Sequence, residues 1–285
     1  MKLIWSYLKS KHRWLLLDCF GGFLFVVVNL GMPTILARMI DEGITQNNPE
    51  RLTFWAIMMF VIVVLGIAGR ISLVYASGKL TTSMIKELRT DIYAKLQTYS
   101  HHEYEQIGVS SLVTRMTSDA FVLMQFAEMS LRIGVVTPLM MIFSVVMILI
   151  TSPSLAWIVA VSMPFLVFVV IYVALKTRPI STKQQQTLDK INQYVRENLM
   201  GLRVIRAFAR EDFQEGRFAQ QNQEYATISS RLFTLTGLTE PLFVQIIIAM
   251  IVAIVWFALD PLARGSLQIG DLVAFIEYSF HALFS

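Results

Sequence analysis

The chain has 285 residues, of which 55% are apolar and only 15% are charged. Soluble proteins carry about 25% charged residues, so this composition is too poor in charge for a surface that faces water. The 43 residues between Arg132 and Lys176 contain no Asp, Glu, Lys or Arg. Because about 20 apolar residues are enough to cross a hydrocarbon layer of ~30 Å, the sequence predicts an all-α membrane protein with several spans.

The same composition excludes several classes of site. Cys19 is the single cysteine, which excludes a disulfide framework, a cysteine-ligated zinc and an iron–sulfur cluster. The four histidines do not form a pattern that supports a metal site, and we find no catalytic constellation. The net charge of +4 is no evidence for nucleic acid, because basic residues in a membrane protein follow its topology.

Uncharged segments place the predicted spans, and the last of them is incomplete. Residues 1–13 are predicted as an interfacial segment, and the transmembrane domain occupies residues 14–285. The first apolar run has no signal-peptide cleavage site, so we expect it to be a retained span. The predicted spans are residues 15–38, 53–78, 132–150, 155–176, 240–259 and 267–285.

The distribution of basic residues predicts the orientation. Twenty lysines and arginines lie in segments on the side of the N terminus, and three lie in segments on the opposite side. Since cytoplasmic segments carry the excess of Lys and Arg, we expect a cytoplasmic N terminus.

Two long connections, 79–131 and 177–239, are predicted as cytoplasmic helical extensions of the spans. Residues 54–100 contain no proline, and apolar residues from Leu80 to Tyr99 recur at helical spacing. The second span is therefore predicted to continue as one helix that projects roughly 40 Å beyond the membrane. Breaks occur at 101–111 and 208–213, so each extension ends in a turned tip. The alternative is a solvated hairpin that only stiffens the bundle.

Three segments, in order along the chain, resemble a known family. Residues 110–119 (SSLVTRMTSD) resemble the G-x-L-x-S-R-x-x-x-D segment in the first cytoplasmic loop of ATP-binding-cassette (ABC) exporters. Residues 197–211 (ENLMGLRVIRAFARE) resemble the second-loop pattern E-x-x-x-G-x-x-x-[IV]-[KR]-x-F-x-x-E, and residues 265–275 (GSLQIGDLVAF) match the start of the sixth span. Ser110 and Thr114 depart from the family's usual glycine and serine.

The resemblance implies a six-span ABC exporter transmembrane bundle that works as a homodimer or heterodimer in a bacterial plasma membrane. It further implies nucleotide-binding domains as partners, and cargo that is an amphipathic small molecule, lipid or peptide. In this family the fourth and fifth spans cross to the partner half, and short coupling helices at the tips rest on the ATPase domains. The first coupling helix maps to Tyr104, Glu105, Gln106, Ile107 and Gly108, and the second maps to Phe208, Arg210, Glu211, Asp212 and Phe213.

The ATPase itself is not expected in these 285 residues. The phosphate-binding motif G-x-x-x-x-G-K-[ST] does not occur in them, so the chain is not predicted to be an enzyme by itself. We expect the reading frame beyond Ser285 to complete the sixth span and then to encode a nucleotide-binding domain that binds ATP and magnesium.

Polar residues inside the spans are candidates for the cargo pathway. A charge is costly in lipid, so Arg70 is expected to face water or a partner, with snorkelling to the interface as the alternative. The four candidates are Asn29, Arg70, Gln245 and Glu277.

Two other classes of membrane protein remain as alternatives. A channel or secondary transporter would use broken half-helices and ionisable clusters at the midplane, of which the sequence offers only Arg70. A membrane sensor would send one output helix away from the last span, whereas both extensions here return to the membrane.

Overall fold

A computed structural model describes residues 2–285, with side chains from residue 6 onward. This part of the chain is helical and contains no strand. The helices are α1 (Lys2–Lys9), α2 (His12–Arg38), α3 (Pro49–Leu96), α4 (His101–Ile107), α5 (Val109–Thr114), α6 (Ala120–Thr151), α7 (Ala156–Met200), α8 (Leu202–Ala207), α9 (Glu211–Gly237), α10 (Thr239–Ala263) and α11 (Ile269–Phe284). Two π-helical segments, Met39–Ile44 and Arg115–Asp119, adjoin α2 and α6.

Five helical runs are long and apolar enough to cross a membrane, which confirms the predicted class of an all-α, multi-span protein. The runs are His12–Ile44, Pro49–Leu96, Val109–Thr151, Ala156–Met200 and Glu211–Ala263. The segment predicted as a sixth span holds α11, a helix of 16 residues.

The helix α3 is a single element of 48 residues, as the proline-free sequence predicts. Asn48 caps its start, because the Asn48 side chain accepts from the amides of Glu50 and Arg51 at 3.1 and 3.2 Å. At 1.5 Å per residue the helix is about 72 Å long, more than twice the hydrocarbon thickness. Leu80, Met84 and Leu88 of the predicted apolar stripe are buried.

The chain divides into two compact units. The first contains residues up to Ala156 together with Val255–Ser285, and the second is Trp157–Ile254. In the first unit α2 lies against α3, α6 packs on both, and α11 contacts α2 and α6.

Glycines bring α2 and α3 of the first unit into close contact. A Cβ atom placed on Gly21 would lie 2.7 Å from the backbone nitrogen of Leu73, and one on Gly66 would lie 2.6 Å from Cγ1 of Val28. Small residues at such positions let membrane helices approach and gain dispersion contacts that larger side chains would prevent. Gly22 fulfils the same role toward α6, since its Cβ would lie 2.8 Å from Cγ1 of Val135.

Two acidic residues of the π-helical segment Met39–Ile44, which follows α2, connect helices of the first unit. The buried Asp41 carboxylate accepts from the amide of Gly270 at 2.8 Å, which places a negative charge at the N terminus of α11. Glu42 accepts from the indole of Trp55 at 3.1 Å and pairs with Arg51 at 3.3 Å. These contacts join the ends of α2, α3 and α11.

The second unit contains α7, α8, α9 and the part of α10 up to Ile254. Gln184 of α7 donates to the Ser229 hydroxyl of α9 at 2.8 Å. Nearer the tip, the hydroxyl of the buried Tyr194 donates to the backbone carbonyl of Gln214 at 2.9 Å. Side-chain hydrogen bonds therefore connect the two long helices of this extension.

We predict that Gly21→Ala destabilises the protein, because the new methyl group would push against the α3 backbone at Leu73. Forced overpacking of this kind costs about 1–3 kcal/mol. The measurement is the fraction folded during denaturation in mixed micelles.

Gly78→Ala is the matched control on α3. A Cβ at Gly78 meets nothing within 4 Å, so this variant should gain about 0.5–1 kcal/mol from reduced backbone entropy. Equal denaturation midpoints for Gly21→Ala and Gly78→Ala would show that the α2–α3 contact does not depend on Gly21.

Candidate functional site

The first predicted tip is a short capped helix. The Ser100 hydroxyl accepts from the Glu103 amide at 3.4 Å, and the Glu103 carboxylate accepts from the Ser100 amide at 2.7 Å, which forms a capping box. Gly108 ends the helix with φ of +81°, a conformation that favours glycine. Of the residues mapped to the first coupling helix, Tyr104, Glu105, Gln106 and Ile107 lie in α4, and Gly108 follows its last residue.

One side chain fixes this tip to the long helix before it. The hydroxyl of Tyr104 donates to the backbone carbonyl of Leu96, the last residue of α3, at 2.7 Å. The Tyr104 ring also lies edge-on to Tyr99, with centroids 6.1 Å apart. Direct contacts therefore connect α4 to the end of α3.

The capping box perturbs a carboxyl group at this tip. Hydrogen bonds from the amide and hydroxyl of Ser100 lower the pKa of Glu103 below its ordinary value. Because its pKa is lowered, the folded tip favours the charged form of Glu103.

The second predicted tip is a turn between two helices and not a separate helix. Phe208 follows the last residue of α8, Ala209 has φ of +46°, and Arg210 precedes α9. Glu211, Asp212 and Phe213 are the first residues of α9, where acidic side chains favour the helix dipole. The residues mapped to the second coupling helix are therefore adjacent in space but divided between a turn and a helix start.

Two aromatic side chains are exposed at this second tip. Phe208 is 74% exposed and Phe213 is 54% exposed, and the Arg210 guanidinium lies 5.5 Å from the centroid of the Phe213 ring. Exposed aromatic residues beside an arginine are the composition typical of a protein-binding surface.

Two of the polar candidates within the spans contact Phe25, Arg70 through its ring and Asn29 through its backbone. The guanidinium of Arg70 lies 5.1 Å from the centroid of Phe25, and the Asn29 amide donates to the Phe25 carbonyl at 2.7 Å. Arg70 is exposed in the structure, whereas Asn29 is partly buried. Glu277 is exposed on α11 and forms no hydrogen bond or ion pair with either of them in the described structure.

The fourth candidate, Gln245, lines a cleft of the second unit. The cleft lies between α7 and α10 and has a volume of about 520 Å³. Ten of its twelve lining residues are apolar, and the two polar ones are Gln245 and Ser162. Sequence reasoning selected Gln245 for its polarity and missed the cleft, although small residues at helical spacing, such as Ala249 and Ala253, were a usable signal.

One polar residue in a span, Asp18, was not among the candidates from the sequence. Asp18 on α2 is fully buried, and neither carboxylate oxygen has a hydrogen-bond partner within the described residues. Unpaired carboxyl groups are costly at such a position. In the described part of the chain, no three His, Cys, Asp or Glu side chains are grouped to hold a metal ion.

Comparison with known proteins identifies one family. The family described as the ABC transporter transmembrane region matches residues 15–285. An uncharacterized ABC transporter ATP-binding protein of Mycobacterium tuberculosis (strain CDC 1551 / Oshkosh) is 27% identical over 252 residues, which are 88% of this chain and 43% of that protein. YfiB of Bacillus subtilis, another uncharacterized ABC transporter ATP-binding protein, is 27% identical over 89% of this chain and 44% of its own length.

A third relative carries the word export in its name. A putative export ATP-binding/permease protein of Rickettsia felis is 21% identical over 88% of this chain and 44% of that protein. The chain thus spans a little under half the length of these relatives.

We predict that the first tip loosens in acid. Because the pKa of Glu103 is lower in the folded tip, its stabilising contribution is present above the pKa of an exposed glutamate, about 4.3, and is lost as the pH falls through the folded value. A spin label at His102 should become more mobile over that range.

Glu103→Gln should weaken this pH dependence, because the glutamine side chain does not titrate but can still accept from the Ser100 amide. Glu105→Gln is the control on the same helix and should leave the dependence unchanged. Equal pH profiles in the wild type and the Glu103 variant would contradict a role for the capping carboxylate.

Proposed function

We infer that this chain, which belongs to the ABC transporter transmembrane region family, forms the transmembrane half of an ATP-driven exporter. The observation that carries the inference is the continuous helix α3, which extends well beyond a hydrocarbon layer and ends in the capped tip α4. The relatives' names contain ATP-binding protein and, in one case, export ATP-binding/permease protein, and this chain matches under half of each. On this basis we propose that the nucleotide-binding domains, with their ATP and magnesium, correspond to the part of these relatives that the chain does not match.

In the proposed mechanism the two tips are coupling elements that rest on the nucleotide-binding domains. At the first tip, the residues from Tyr104 to Gly108 receive the movement, and the hydrogen bond from Tyr104 to Leu96 passes it to α3. At the second tip, Phe208 and Phe213 supply exposed aromatic contact area, and Arg210, Glu211 and Asp212 supply the charged rim. A long helix transmits a displacement that a flexible loop would absorb.

The complete transporter is proposed to be a dimer of two such halves. Most of the fourth and fifth predicted spans lies in the compact unit Trp157–Ile254. This separation supports an arrangement in which that unit packs against the partner half. We place the N terminus in the cytoplasm and the protein in a bacterial plasma membrane.

Cargo is proposed to pass along polar side chains within the spans. Arg70 lies over the Phe25 ring, Asn29 donates to the Phe25 backbone carbonyl, and Gln245 lines the cleft of the second unit. Glu277 is the fourth proposed pathway residue. The cargo class is an amphipathic small molecule, lipid or peptide, for which the chain provides the path but no chemical reaction.

We predict that Phe208→Ala in the complete transporter uncouples ATP hydrolysis from transport. Loss of an aromatic anchor in a docking surface costs about 2 kcal/mol, which weakens docking roughly 30-fold. The number of cargo molecules moved per ATP in proteoliposomes should fall, while cargo binding stays intact. Glu211→Ala should act in the same direction.

Phe233→Ala is the matched control, since Phe233 is 69% exposed on α9 but lies away from the tip. Unchanged coupling in both tip variants would contradict the assignment of the second tip. If cysteines at both tips stay reactive toward a water-soluble reagent throughout ATP turnover, the coupling mechanism is wrong.

A further inference from the structure

Asp18 is a buried acid that the proposed transport mechanism does not use. It lies on α2 within the first predicted span and is fully buried, and neither of its carboxylate oxygens has a hydrogen-bond partner among the described residues. Leu16 and Phe20, on the opposite face of α2, are 68% and 60% exposed. Asp18 is therefore enclosed within its own unit, and its burial does not depend on another chain.

The residues opposite Asp18 follow from the register of α2 and α3. These helices run antiparallel, and Gly21 lies opposite Leu73, since a Cβ atom on Gly21 would be 2.7 Å from the Leu73 nitrogen. Three residues earlier on α2, the same register places Asp18 level with Ala76 and Ser77 of α3. Both are buried, and the Ser77 hydroxyl also has no hydrogen-bond partner in the described structure.

No described basic side chain forms an ion pair with Asp18. On α11 the nearest titratable group is His281, which the contact between Tyr278 and Thr34 places roughly 20 Å from Asp18 along α2, and the π-helical segment after α2 lies farther away still. The charged and titratable groups of α1, α2, α3 and α6 near Asp18 are paired elsewhere or exposed. Lys11 pairs with Glu87, Arg132 pairs with Glu128, Lys79 lies over the Tyr75 ring, Tyr7 donates to Asp91, and Lys9, His12, Arg13 and Cys19 are exposed.

A proton suits this position better than a metal ion does. An ionised carboxylate that is buried without a partner loses most of its hydration energy, whereas a neutral carboxylic acid loses far less. A hard metal ion needs several oxygen ligands. The described side chains level with Asp18 offer the Ser77 hydroxyl alone, and no three His, Cys, Asp or Glu residues are grouped there.

From these features we propose that Asp18 is a proton-binding site, and that its bound proton holds the contact between α2 and α3 closed. The neutral acid fits between the helices beside Ala76. When the O–H bond breaks and the proton passes to water, a negative charge remains in a dry contact, so α2 and α3 separate there until water reaches the carboxylate. The contact thereby depends on pH, whether or not the chain belongs to an exporter.

Infrared spectroscopy detects the proton directly. The full chain is labelled with carboxyl-¹³C aspartate in phosphatidylcholine nanodiscs, and the C=O band of protonated aspartic acid is followed as the pH is raised. At about pH 6 an exposed aspartate, whose pKa is about 3.9, is almost fully ionised. The wild type should still show the band at that pH, and Asp18→Asn should remove it. Asp41→Asn is the matched control and should keep the band, because the buried Asp41 is instead paired with the Gly270 amide.

Unfolding in mixed micelles shows whether the proton holds the helix contact. Because the folded state keeps a proton that the unfolded state releases, the unfolding equilibrium constant of the wild type should rise with pH relative to that of Asp18→Asn. The rise should approach tenfold per pH unit above about pH 4 and should stop where the folded protein releases its proton. Ser77→Ala removes a buried hydroxyl at the same level but leaves the acid, so it should keep the rise.

Four results would overturn the proposal. If the wild type lacks the band at the pH where exposed aspartates are ionised, Asp18 is charged in the folded protein, and this result requires no variant. A band that persists in Asp18→Asn would belong to another aspartate. Parallel unfolding profiles of the wild type and Asp18→Asn would show that the proton does not hold the contact. Loss of the band on addition of Na⁺ or Mg²⁺ at constant pH would show that a metal ion occupies the site.

Discussion

The contact between α2 and α3 supports the rest of the first unit. It brings two backbones so close that a single methyl group at Gly21 would collide with Leu73. Lipid gives no hydrophobic drive for helices to associate, so this contact depends on dispersion over a large, closely fitted surface. In the mechanism that we propose, a rigid base of this kind would let α3 act as a lever, because a helix that could slide on α2 would lose a displacement applied at α4.

The hydrocarbon layer imposes a second constraint, because a polar side chain within it needs a hydrogen-bonding partner. The polar residues differ in whether they have such a partner. Asp41 pairs with the start of α11, and Asn29 bonds to its own helix, so both are satisfied within the first unit. Gln245 and Asp18 have no such partner among the described residues. Of the first pair, Asp41 joins different helices whereas Asn29 is satisfied within α2. The second pair marks positions whose energetics require something further, such as a ligand, a proton or another chain.

The two tips differ in construction, and this difference bears on the coupling mechanism that we propose. The first is a capped helix joined to α3 by the hydrogen bond from Tyr104 to Leu96, so its rotation would turn the end of that helix. The second is a tight turn at Ala209, followed by α9 and stabilised further back by the hydrogen bond from Tyr194 to Gln214. The sequence predicted breaks at both places but assigned both the same form, because a short run of mixed charges does not distinguish a helix from a turn.

The sequence by itself determined the membrane class, the order of the helices and the continuity of α3, since all three follow from local hydropathy, spacing and the positions of proline. Its motifs also indicated the family to which the chain belongs. Only the tertiary structure decided that Arg70 lies over the Phe25 ring, that Asp41 reaches Gly270, and that small residues leave a cleft beside Gln245. These features depend on which faces of distant helices are opposed, and helical periodicity fixes the face of each helix but not the partner that it meets.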